Sequence, residues 1–119
     1  MITINYNFTY LNEYIAKERS NRYAAAKIKR DTTYAISLML KGKPKIHTPC
    51  KLHFHWLVSS KRRDLDNVSF AKKFILDSMV KADIIPNDNL NHIIEFTDTF
   101  EISNKKGVVI SEYENISSL

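Results

Sequence analysis

Cysteine occurs once in the 119 residues, at Cys50. That excludes an internal disulfide, and it excludes a cysteine-based zinc site within one chain. Two glycines and three prolines leave no material for a low-complexity linker. No run approaches the ~20 apolar residues of a membrane span. The amino terminus, Met1-Ile2-Thr3-Ile4-Asn5-Tyr6, alternates apolar and polar residues. It lacks a basic segment followed by an apolar core, so a secretory signal is not expected. Acidic residues are scarce until late in the chain. From Lys17 to Lys45 nine basic residues face only Glu18 and Asp31. From Ile46 to Ala82 seven face Asp64, Asp66 and Asp77, and from Asp83 onward seven acids face Lys105 and Lys106.

What is present suits one globular domain over residues 1–119. The hydrophobic fraction is 44% and aromatics are 11%, enough for a core. A soluble protein of a reducing cytoplasm, with no membrane partner, is expected. The net charge of +5 is concentrated at the front. A basic front with an acidic tail suits a polyanion such as nucleic acid, whose phosphates such residues contact without reading sequence. The alternative is that the lysines only solvate helix surfaces.

Hydrophobic spacing divides the chain into seven elements. Residues 2–8 alternate as a strand, 10–19 form a short helix, and 21–41 form a longer one. Ser20 or Asn21 caps the long helix, and Gly42 and Pro44 stop it. Its apolar side is expected to hold Ala24, Ala25, Ile28, Ala35, Leu38 and Met39, with a possible break at Thr32-Thr33. Residues 50–58 form a strand with Leu52, Phe54 and Trp56 on one side, and His53 and His55 on the other. Two histidines so spaced can ligate a metal, but no third ligand is evident nearby, so a polar strand face is the better reading. The buried-strand position of Cys50 points to a structural role. Residues 67–82 read as a helix packed through Val68, Ala71, Phe74, Ile75, Ser78, Met79 and Ala82. Residues 92–103 and 108–114 read as a β-hairpin around Asn104-Lys105-Lys106-Gly107. The fold class is therefore α+β: a mixed four-stranded sheet with helices packed on it, in the order strand-helix-helix-strand-helix-strand-strand.

One stretch carries more chemistry than the rest. Lys61-Arg62-Arg63 precedes Asp64-Leu65-Asp66-Asn67 at the start of the third helix, and Asp88 lies in the loop after it. Three carboxylates beside a basic patch match what Mg²⁺ or Mn²⁺ needs when held against a phosphodiester. In extended backbone Asp64 and Asp66 would face the same way. The competing local reading is N-cap chemistry, with Asn67 or an aspartate accepting from free N–H groups. Arg62 and Arg63 are expected to contact phosphates, while Arg19, Arg22, Lys27 and Arg30 are candidates for a DNA-facing surface.

These residues resemble a known family. Arg63-Asp64-Leu65-Asp66-Asn67, the helix end Leu76-Asp77-Ser78-Met79-Val80-Lys81-Ala82, and Ile85-Pro86-Asn87-Asp88-Asn89 together resemble the RusA-type Holliday junction resolvases, in particular their phage and prophage members. The match covers roughly residues 61–91. The resemblance implies a homodimer in a bacterial cytoplasm that nicks two opposing strands of a four-way DNA junction, with Mg²⁺ or Mn²⁺ as cofactor. It implies that the essential carboxylates, catalytic and metal-binding, are Asp64, Asp66 and Asp88. The family's catalytic lysine stands four residues after the second motif aspartate, where this chain has Phe70. Aligned from the far end of the helix, Lys73 takes that place, and Lys72 is the other candidate. DNA contacts are expected from Lys61, Arg62, Arg63, Lys72, Arg19, Arg22, Lys27 and Arg30. Two other functions stay open: a non-catalytic junction-binding protein on the same scaffold, and a metal nuclease acting on flapped DNA or RNA.

Overall fold

The computed structural model describes residues 1–9, 11–61 and 64–113, apart from the side chain of Asn67. The elements are β1 (Ile2–Asn5), α1 (Leu11–Ser20), α2 (Arg22–Leu40), β2 (Cys50–Val58), α3 (Leu65–Ser69), α4 (Lys72–Lys81), β3 (Ile93–Ile102) and β4 (Gly107–Glu112). They form an α+β fold with one four-stranded mixed sheet, and the expected order of elements is observed.

Alternation in β2 sets the layers. Cys50, Leu52, Phe54, Trp56 and Val58 are buried, and the residues between them are half-buried. Register places Phe54 beside Ile110, which pairs with Ile2, and Trp56 beside Val108, which pairs with Ile4. This apolar face packs against Ile36 and Leu40 of α2 and against Phe74, Ile75 and Met79 of α4. Removing that surface from water is the main favourable term in the fold, at about 25 cal/mol per Å². The opposite face stays polar. His53 bridges the hydroxyls of Thr97 (2.7 Å) and Thr99 (2.8 Å), and His55 meets Thr99 at 2.6 Å. The histidines therefore belong to a hydrogen-bonded strand face, as the spacing indicated.

Sheet order departs from the sequence expectation. The order is β1-β4-β2-β3, so β3 and β4 flank β2 and do not pair with each other. β2 and β3 are parallel, joined by the α3–α4 crossover, while β4 runs antiparallel to β1 and β2. The expected hairpin is thus incorrect. β2 has the most regularly apolar strand face, and its burial is best served by a central place with a neighbour on each side. The short connection from Ser103 to Lys106 passes over the end of β2. Its exit at Gly107 needs glycine: φ is +144°, and a Cβ there would lie 2.0 Å from the Ile4 carbonyl oxygen.

The helices also differ in detail. Asn21 is the cap of α2, accepting from the N–H of Tyr23 (3.0 Å) and Ala24 (3.1 Å). No break occurs at Thr32-Thr33. The inward positions of α2 are Ala25, Thr32, Ile36 and Leu40, while Leu38 and Met39 are exposed. The expected apolar side was rotated, because Thr32 conceals the stripe at a polar residue. The third helix is two pieces. The N–H of Ala71 bonds to Val68 O, and that of Lys73 to Phe70 O. These three-residue steps tighten the turn between α3 and α4. The expected packing stripe survives this joint: Val68, Ala71, Phe74, Ile75, Ser78 and Met79 are all buried.

Candidate functional site

Asp64 stands at the N-cap position of α3 in extended backbone, with φ −72° and ψ 135°. Its side chain is exposed and makes no cap hydrogen bond. Asp66 lies in the first turn of α3 and is also exposed. The expectation that both carboxylates project from extended backbone is therefore corrected, since only Asp64 is extended. On a helix, residues two apart point in widely different directions. Asn67 does not occupy the cap position, and its side chain lies outside the described residues. Two carboxylates at a helix start favour the local backbone through its exposed N–H groups.

Asp88 lies elsewhere. It sits in the exposed loop between α4 and β3, where its N–H bonds to the Asn87 side chain at 2.7 Å. That loop packs at the Cys50 end of the sheet. The N–H of Cys50 bonds to His92 O, that of Ile46 bonds to Ile84 O, and Thr48 Oγ1 meets His92 Nδ1 at 2.9 Å. Asp64 follows the opposite end, Val58. A strand of this length spans roughly 26 Å. Parallel β2 and β3 thus put the two parts of the motif at opposite ends of one crossover. Among the described residues no three histidine, cysteine, aspartate or glutamate side chains are gathered to hold a metal ion. Within a single chain the trio does not fit a three-carboxylate ion site.

The lysines separate clearly. Lys72 turns inward, donating to Asp98 Oδ2 at 2.7 Å, with side-chain exposures of 17% and 26%. Its ammonium lies 5.1 Å from the Phe54 ring centroid and 4.7 Å from that of Phe96. The other Asp98 oxygen accepts from the indole N–H of Trp56 at 2.9 Å. This cluster was not anticipated; the signal available was a lone aspartate on the core-facing side of an apolar strand. Lys73 is exposed and, among the described residues, forms no ion pair. Phe70, at the family's lysine position, packs against Tyr14 (5.3 Å) and Phe74 (5.4 Å).

The basic candidates are distributed over the surface. Arg19 on α1, Arg22 and Arg30 on α2, and Lys61 before α3 are exposed. Lys27 is exposed too, but pairs with Asp31 at 2.8 Å. Arg62 and Arg63 lie outside the described residues. Cys50 is buried, and burial first, then the charge of Glu112, pushes its thiol pKa upward. A thiol held protonated in this way is inert rather than nucleophilic. Among the described residues no helix is long and apolar enough to cross a membrane. This chain gives no match to a family model, to a curated protein or to a solved structure.

Proposed function

We propose that this chain is a divalent-metal-dependent endonuclease acting on branched DNA, of the junction-resolving kind its motif resembles. Asp64, Asp66 and Asp88 are the proposed ion-binding carboxylates, with Mg²⁺ or Mn²⁺ as the ion, and two copies act together on a four-way junction. The observation that carries the reading is the state of Asp64. It holds a cap position without capping, so the ordinary structural use of Asp-x-Asp-Asn is not being made of that side chain. An exposed carboxylate three residues after Lys61 is chemically available to a hard cation. Of the two candidate lysines, Lys73 is the proposed functional one, since Lys72 is engaged with Asp98. Its role is electrostatic, toward the charge that develops on a phosphate.

On this reading, the separation of Asp88 from the other two requires that its partner carboxylates come from another copy of the chain. A four-way junction is roughly two-fold symmetric, and a two-fold dimer presents two sites to opposing strands. Asp64→Asn is expected to abolish nicking of a synthetic four-way junction in Mg²⁺ and to weaken Mn²⁺ binding measured by calorimetry. Junction binding should survive, because the basic surface is untouched. Unchanged cleavage by that variant would refute the assignment.

A second reading is favoured by Phe70, whose aromatic packing replaces the family's lysine. On that reading the chain binds junctions without cutting them. Retention of the wild-type protein on the junction with no nick in Mg²⁺ or Mn²⁺ selects it. Cleavage of flapped DNA or RNA in preference to the junction would shift the substrate instead.

A further inference from the structure

One motif stands outside the proposed function. His53 and His55 lie two apart on β2, on the polar face of the sheet opposite the helices. Register sets His53 beside Thr97 and His55 beside Thr99 on parallel β3. The two rings are nearly parallel, with an interplanar angle of 17° and centroids 6.4 Å apart. One nitrogen of each ring points at the same atom. His53 Nε2 is 2.8 Å, and His55 Nδ1 2.6 Å, from Thr99 Oγ1. The other two nitrogens face outward to oxygens of their own. His53 Nδ1 meets Thr97 Oγ1 at 2.7 Å, and His55 Nε2 lies 3.7 Å from Glu101 Oε1. A histidine that holds a metal is oriented in this way, its second nitrogen directed at a carboxylate or another oxygen.

We propose that His53 and His55 together chelate a divalent transition ion of the Zn²⁺ class, at the point where the Thr99 hydroxyl lies between them. Proton placement permits it. A carboxylate only accepts, so Glu101 favours the His55 proton on Nε2 and leaves Nδ1 as a lone pair. Without the ion, Thr99 gives its one proton to that lone pair and accepts from His53 Nε2–H. The Thr97 hydroxyl both donates and accepts, so His53 carries its proton on Nδ1 equally well. Both inner nitrogens then offer lone pairs to a single point. Thr99 is exposed, and a rotation about χ1 turns its hydroxyl aside.

The donor set selects the ion. Imidazole suits Zn²⁺, Cu²⁺ and Ni²⁺, with metal–nitrogen bonds of about 2.0–2.1 Å for zinc. Mg²⁺ and Mn²⁺ prefer oxygen, so this ion differs in class from the one proposed for the aspartates. No three histidine, cysteine, aspartate or glutamate side chains are gathered among the described residues, so the chelate is two imidazoles completed by water. The His55 side chain is 33% exposed, which gives the ion access.

Calorimetry of the full chain with Zn²⁺, in excess Mg²⁺ to occupy oxygen sites, tests the proposal. One ion per chain is expected, with Kd in the micromolar range. His53→Gln and His55→Gln should each weaken binding about tenfold or more. Thr99→Val keeps the branched shape and removes the competing hydroxyl, so it should bind at least as tightly as wild type. His47→Gln, at a histidine outside the cluster, should match wild type. No uptake by wild type, His53 or His55 variants that bind like it, or loss of binding in Thr99→Val or His47→Gln would overturn the chelate. Ring-nitrogen NMR of the wild type keeps it falsifiable if a variant does not fold. Zn²⁺ should shift His53 Nε2 and His55 Nδ1 and leave the rings of His47 and His92 unmoved. Shifts that miss His53 and His55 also overturn it. No readout involves DNA or cleavage, so the chelate stands or falls apart from the nuclease reading.

Discussion

Asp98 shows how much one side chain can organise. It draws the Lys72 ammonium, which lies over the rings of Phe54 and Phe96, and the Trp56 indole onto β3. Removing it leaves a poorly solvated cation and an unpaired indole N–H. Loss of one partner from a partly buried ion pair costs more than the pair itself contributes. Asp98→Ala is therefore expected to destabilise the fold by about 2–4 kcal/mol in urea denaturation, and Asp98→Asn by less. Equal stability of Asp98→Ala and wild type would mean that the cluster is incidental. Sequence spacing could not reveal this arrangement. Asp98 and Lys72 are 26 positions apart, and only the parallel placement of β3 beside β2 brings α4 over the aspartate.

At the scale of elements, the position of β4 depends on a single glycine. Gly107 admits the Ile4 carbonyl where any Cβ would collide with it, and its φ of +144° is one that L side chains rarely adopt. Gly107→Ala should lower stability by about 2–4 kcal/mol and loosen β1, seen as faster amide exchange at Ile2 and Ile4. Wild-type exchange in that variant would contradict the close packing. The α3–α4 joint is a second lesson at this scale. The apolar stripe from Val68 to Met79 was readable because it repeats at helical spacing. The joint within it was not, because a three-residue hydrogen-bond step leaves the stripe intact and carries no glycine or proline as a marker. The α2 stripe failed for the opposite reason: Thr32 is buried, and Leu38 is exposed, against their intrinsic preferences.

The whole molecule decides whether the carboxylates act together. A site shared between copies makes a prediction that a site within one chain does not. Asp64→Asn and Asp88→Asn should each be inactive alone. Mixed after unfolding and refolding together, half of the dimers combine the two variants, and each such dimer has one site with all three carboxylates. Nicking should return to about a quarter of the wild-type sites. No recovery in the mixture would place the three carboxylates within one chain, or dismiss them as a unit.

The sequence by itself determined the order of elements, the α+β class, the buried faces of β2 and α4, and a motif that names its own candidate residues. All of these follow from short-range periodicity and from local chemistry, which neighbouring residues carry. Only the tertiary structure decided that β2 separates β3 from β4, that Lys72 turns inward, and that Asp88 lies a strand's length from Asp64. Those facts depend on which strand gains most by lying at the centre of the sheet. That is a competition among distant segments for the same apolar surface, and no local pattern records its outcome.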